Sequence, residues 1–234
     1  MNVAGSGWVR EVVYDERRWE LLRRKRKEAL PILEAATRIF EGSLLHGSLA
    51  RGDVREESDI DVAIPKYVPP YLVEFTLERA NMKWYDRFII QATPHSTPKL
   101  YYSLDPLETK TLSLPLGKLS RTEFEFYKFG GSLALEGLKK DIRVPGVDKR
   151  LVLIVPTENG HFEESIIGKE EYVAKLLNIS PETVKERKEV LLRRSKHGRT
   201  GVFLEHHIPE FEPTMKGIER LKMSDKVFRK ALER

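Results

Sequence analysis

The chain has 234 residues, with 41 Lys and Arg against 36 Asp and Glu for a formal charge of +5, and no cysteine. That length can bury a core without covalent staples, and the missing thiols exclude a disulfide framework and any thiolate-held zinc or iron–sulfur site. No run of about 18 uncharged apolar residues reads as a membrane span, and the N-terminal segment lacks the apolar stretch of a signal peptide, so the sequence predicts a soluble, cytoplasmic protein without a membrane partner. The dense mixed-sign charge, 33% of residues, matches the composition expected of a thermophile, such as an archaeal host, where ion-pair networks contribute at high temperature. The small positive excess permits a polyanionic partner without demanding one.

In chain order, Trp19, Leu22, Ala29, Leu30, Ile32, Leu33, Ala36, Ile39 and Phe40 recur at helical spacing and predict a helix over 15–42, ended by Gly42. Its basic run at 23–27 alternates with Glu16, Glu20 and Glu28 and reads as a solvated face using i,i+4 pairs. Residues 43–46 form a short buried strand, 49–53 a turn or two of helix, and 59–64 a strand by polar–apolar alternation. A helix over 70–82 and a strand over 86–92 follow. Between 93 and 120 prolines obscure the pattern, apart from a strand at 110–116. The spacing predicts a helix over 121–140, a buried strand at 151–155 and a mostly helical region from about 165. The division expected is 1–100, 101–164 and 165–234.

The chemistry concentrates in 44–64, LLHGSLARGDVREESDIDVAI. A strand ends in Gly47, which permits a tight turn and close approach of backbone to a ligand. Ser48 brings a hydroxyl and an amide to the start of a helical turn, an anion-binding arrangement, and Arg51 can reach a phosphate with a planar fork of donors. Asp59 and Asp61 stand two apart on a strand and so share one face, while Ile60 and Val62 face the core. Adjacent carboxylates repel unless a cation lies between them, and a hard ion such as Mg²⁺ or Mn²⁺ suits oxygen ligands and substrate phosphates. Together these are the parts for metal-assisted phosphoryl or nucleotidyl transfer.

The Gly47-Ser48 turn, the ten-residue interval and Asp59-Ile60-Asp61 resemble the nucleotidyltransferase superfamily that includes DNA polymerase beta. With Ala50, Arg51, Gly52 and Ser58, the stretch looks most like the minimal prokaryotic and archaeal members. The resemblance implies an α/β (α+β) fold, a polymerase-beta-like mixed sheet flanked by helices, here with a mostly helical C-terminal region. It implies NTP as substrate, Gly47 and Ser48 at the β- and γ-phosphates, and two Mg²⁺ ions on Asp59 and Asp61. An acceptor hydroxyl would attack the α-phosphate and pyrophosphate would leave. The acceptor, whether small molecule, RNA or protein, is open. Catalytic members usually add a third acid from a neighbouring strand; in DRFIIQA that is Asp86, with Gln91 a neutral substitute. Without a third acid, the alternative is a nucleotide-binding regulatory protein.

Elsewhere, the six histidines show no metal-ligand spacing. His46 reads as structural, and the 92–99 loop with His95 and Lys99 as either a substrate contact or a rigid proline loop. At 172–196, a helix, a turn at Asn178 and a second helix capped by Ser180 with Pro181 behind it resemble a helix-turn-helix. Its Arg187, Lys188, Arg193, Arg194 and Lys196 offer contacts to DNA or RNA phosphates, the use the regulatory alternative would make of these helices, and a plain packing pair is the other reading.

Overall fold

A computed structural model describes residues 3–198 and 201–233. The elements in chain order are β1 (Val9–Val13), α1 (Glu16–Ile39), β2 (Leu44–His46), α2 (Ser48–Arg51), β3 (Ile60–Ala63), α3 (Pro70–Arg79), β4 (Asp86–Gln91), β5 (Lys99–Ser103), β6 (Lys110–Pro115), α4 (Arg121–Gly130), β7 (Ser132–Ala134), α5 (Leu135–Lys139), β8 (Gly146–Val147), β9 (Val152–Thr157), β10 (Gly160–Ser165), α6 (Glu170–Leu177), α7 (Pro181–His197), β11 (Leu204–His207), α8 (Thr214–Ser224) and α9 (Lys226–Leu232). They divide into two units of interleaved segments. The first takes the chain up to Glu28, then Leu45–Ser58, then the stretch from Arg121; the second takes Ala29–Leu44, Asp59–Ser120 and the stretch from Gly201.

In the first unit an antiparallel sheet runs in the order β1-β10-β9-β8. β9 and β10 form a tight hairpin, with Thr157 opposite Gly160. Gly160 carries no side chain because β1 lies against it: a Cβ there would meet the Val12 carbonyl at 1.9 Å. Leu151, Leu153 and Ile166 pack with Phe129 of α4, Val173 and Leu177 of α6, and Val184 and Leu191 of α7. Each such buried side chain contributes about 1.5–3 kcal/mol. The α6–α7 turn follows its sequence signals. Asn178 is left-handed at φ 51°, and Ser180 caps α7 by accepting from the Thr183 amide.

The second unit carries the strand order β11-β4-β5-β6-β3. β3 and β6 are parallel, and the other neighbours are antiparallel. Ile60, Val62, Leu112, Leu114, Leu100, Tyr102 and Ile89 are buried on one sheet face, while Leu33 of α1 and Val73 and Leu77 of α3 are buried helix positions. A polar cluster ties α3, β4 and α8 together. The buried Arg87 donates to Thr214 (2.8 Å) and the Pro209 carbonyl (2.9 Å), and Tyr102 and Thr214 both donate to Glu74.

The expected mixed α/β fold is thus present, with differences at Gly130-Gly131 and in the C-terminal region. The helix predicted over 121–140 stops at Gly130 and restarts only after β7, because Gly146 approaches closely: a Cβ on it would meet the Gly131 nitrogen at 2.5 Å. The C-terminal region is helical apart from β11, which pairs with β4.

Candidate active site

In the first unit, β2 lies beside β7 and hands the chain to α2 through Gly47, at φ 83° and ψ −142°. That conformation favours glycine. The Gly47 amide donates to the Gly131 carbonyl (2.9 Å), and the Gly47 carbonyl accepts from Ala50 and Arg51 (both 3.1 Å). The Ser48 and Leu49 amides precede the first intrahelical bond and have no acceptor within the turn. Gly52, left-handed at φ 99°, ends α2.

Arg51 takes a different place from the one its spacing suggests. Its side chain is buried and grips Asp53 bidentately (3.0 Å to each carboxylate oxygen), while its remaining nitrogen donates to the Gly130 carbonyl. A guanidinium held in this way braces the turn from beneath.

The turn has further supports that its own sequence does not reveal. From α1, the buried Arg26 donates to the Leu49 carbonyl (3.0 and 2.9 Å). Burial pulls its guanidinium down to about 10. Lys25 donates to the Ser58 carbonyl (2.7 Å), Arg24 pairs with Glu56 (2.7 Å) and Arg23 with Glu16. Within the basic run at 23–27, Arg24, Lys25 and Arg26 thus hold 49–58, while Arg23, Arg24 and Lys27 are exposed as a solvated face would be. From β1's end, Tyr14 donates to the Gly52 carbonyl (2.9 Å) and lies 2.6 Å from Nδ1 of the fully buried His161. The linear pattern pointed to neither residue.

In the second unit, Asp59 stands just before β3 and Asp61 on it, both exposed and alternating with the buried Ile60 and Val62. Parallel pairing with β6 places Thr111 beside Asp61, and the Thr111 hydroxyl donates to Asp61 Oδ1 (3.0 Å). Two exposed carboxylates with one oriented by a hydroxyl are a donor set suited to a hard divalent ion, with water or substrate phosphate oxygens completing its shell. Among the described residues no group of three or more His, Asp or Glu side chains is arranged to hold a metal.

Asp86 is not a third member of that set. The registers align Asp61 with Thr111, Thr111 with Ser103 and Ser103 with Asp86, so Asp86 lies three strands away, about 14 Å at ordinary strand spacing. Its carboxylate accepts from the Arg87 amide (2.7 Å) and meets His207 Nδ1 at 2.6 Å. Partial burial would lower the His207 imidazolium, but the hydrogen bond and charge of Asp86 raise it. Gln91 is fully buried and ties down the following loop through the Pro94 and Ser96 carbonyls (3.3 and 3.1 Å). Thr93 and Ser96 bond each other across that loop, leaving His95 exposed at its tip. His46 packs on Phe126 and Tyr127 at centroid distances of 5.0 and 5.5 Å, in keeping with a structural role.

The α6–α7 pair is present, but the opening of α7 faces inward. Ser180 and Thr183 are buried and both donate to the buried Glu125 of α4 (2.6 Å each). Arg187 lies over the Phe126 ring at 4.7 Å, and Lys188 pairs with Glu170. The first turn, the part of a recognition helix that meets base edges, is thus taken up in packing.

The nucleotidyltransferase domain family matches residues 41–103, the segment containing both the Gly47 turn and the Asp pair. Among solved structures, the RNA terminal uridylyl transferase Cid1 aligns at 15% identity and a TM-score of 0.26 over 44% of this chain and 32% of that one. The GLD-2/RNP-8 complex aligns at 20% and 0.27 over 44% and 42%, and the polymerase core of TRAMP, an RNA surveillance complex, at 12% and 0.29 over 50% and 37%. The alignments thus span well under two thirds of those chains. No curated protein matches the chain.

Proposed function

We propose that the protein is a metal-dependent nucleotidyltransferase that moves an NMP from an NTP to an acceptor hydroxyl. The observation that carries this is the pair Asp59 and Asp61 at the head of β3, one of them oriented by Thr111, inside the segment matching the nucleotidyltransferase domain. Asp59 and Asp61 would hold Mg²⁺ or Mn²⁺, which when bound supplies charge neutralisation for the triphosphate and the leaving pyrophosphate. Ser48, its amide and the Leu49 amide offer donors to phosphate oxygens, kept in place by Gly47's backbone and by Arg26 and Tyr14. The acceptor oxygen bonds to the α-phosphorus as the bridging P–O bond breaks, and the electron pair leaves with pyrophosphate. The hydroxyl proton passes to water, since Thr111 and Ser103 occupy the cross-strand row where a third carboxylate would stand.

The same observation supports a second reading, a nucleotide-binding regulator that transfers slowly or not at all. Labelled NTPs with Mg²⁺ separate the two. Transfer to acceptor or water that is lost in an Asp59→Ala, Asp61→Ala double variant supports the enzyme. NTP binding without turnover supports the regulator. Binding unchanged in the double variant contradicts both. The same label identifies the acceptor among small molecules, RNA and proteins.

A further inference from the structure

The first unit holds a cavity of about 390 Å³ whose wall includes Arg10, Arg17, Arg18, Arg55 and Arg150. We propose that it binds the phosphates of a nucleic acid strand.

Three carboxylates share the wall, and each is already engaged. Asp15 accepts from the Arg18 amide (2.9 Å), Glu56 pairs with Arg24 (2.7 Å), and Glu163 pairs with Arg150 (2.6 Å). Arg150 is further fixed by Asp148 (2.6 Å). Burial would raise Glu163, but hydrogen bonds from His161 and Arg150 outweigh it and hold the carboxyl at about 2, so it stays charged and keeps Arg150 in position. Arg10, Arg17 and Arg18 have no carboxylate partner among the described residues. The Nε of Arg18 is buried with no acceptor, while its guanidinium carbon lies 4.2 Å above the Tyr14 ring. A buried donor left unsatisfied is costly, and an oxyanion in the cavity would relieve it.

The placement is also unusual in sign. Arg17 and Arg18 sit in the first turn of a 24-residue helix, where cations oppose the helix dipole and anions are favoured. By contrast, the basic run farther along α1 is spent on Glu16, Glu56 and backbone carbonyls. The cavity far exceeds a lone phosphate and has room for a sugar beside it. Its arginines come from β1, α1, the 53–58 loop and the turn before β9, a spread that suits successive phosphates of a strand better than one small anion. Planar guanidinium forks match phosphodiester oxygens.

The proposal stands independently of nucleotidyl transfer, because binding is read without NTP or metal. The probe is a labelled 15-nucleotide single-stranded RNA, titrated by anisotropy against the full chain in EDTA over a salt series. The Arg10→Ala, Arg17→Ala variant should bind about tenfold more weakly at 0.1 M salt, with a log–log salt slope smaller by about 1.4, two contacts at about 0.7 each. The Arg193→Ala, Arg194→Ala variant of α7 should bind as the parent does. Arg17→Glu, at an exposed position, serves as a second variant should the double one unfold. Undiminished RNA binding in the pocket variants, equal loss in the α7 variant, or binding of inorganic phosphate or AMP as tight as that of the RNA would each overturn it.

Discussion

At the scale of single residues, Asp61 and Arg51 show how neighbours decide a role. Asp61 is exposed, with a hydroxyl donated to it by Thr111; Arg51 is buried and gripped by Asp53 and the Gly130 carbonyl. Thr111→Val keeps the shape and removes the donor. Since water can replace it at the exposed carboxylate, kcat/KM should fall only about fivefold, with the unfolding midpoint nearly unchanged, as steady-state kinetics and denaturant titration would show. Arg51→Ala should act on stability instead. It strands Asp53 and a carbonyl, and equilibrium unfolding should lose about 3 kcal/mol or more. An arginine that served by contacting NTP would raise KM and leave that midpoint in place. The His207–Asp86 pair gives a third outcome. The His207 imidazolium is raised by Asp86, so its NMR titration should lie above the ordinary 6.5 and fall in Asp86→Asn. This pair strengthens folding below that ordinary value, and its contribution is lost as pH rises through the raised one.

At the scale of elements, the helical hairpin rests on Glu125. Burial alone would raise this carboxyl, but hydrogen bonds from Ser180, Thr183 and Arg121 prevail and hold it at about 2, against an ordinary 4.5. A lowered folded value adds stability that is fully present above about 4.5 and fades as pH falls toward 2. Glu125→Gln should therefore lower Tm at pH 7, and the gap to the parent should close through that window in thermal melts. This hairpin was legible in the sequence because its signals are local: helical period, Asn178, the Ser180 cap and Pro181. α1, α3, β3, β4 and β6 were legible for the same reason. β5 lies in a proline-rich stretch and β11 in a segment of helical composition; both are defined by pairing with β4. β1 presents mostly exposed residues, and it exists through its ladder with β10. The site divides along the same line. Gly47 and the Asp pair could be read from spacing, whereas the roles of Arg51, Asp86, Arg26 and Tyr14 depend on partners such as Gly130, His207, Leu49 and Gly52.

At the scale of the whole molecule, two units are woven from alternating segments of one chain, so no cut in the sequence separates them. The Gly47 turn belongs to the first and the Asp pair to the second, and within the first Ser58 is held by Arg55 and Lys25. The charge excess is placed rather than spread: Arg24, Lys25 and Arg26 of α1 hold 49–58, while Arg10, Arg17 and Arg18 line a cavity. No helix among the described residues is long and apolar enough to cross a membrane. The proposed role of Asp59 and Asp61 in nucleotidyl transfer is read from pyrophosphate release from NTP with Mg²⁺. Release by the parent chain should fall about 10²–10³-fold in Asp61→Asn. Release of equal rate in parent and variant, or none from the parent with any of the four NTPs, would contradict it.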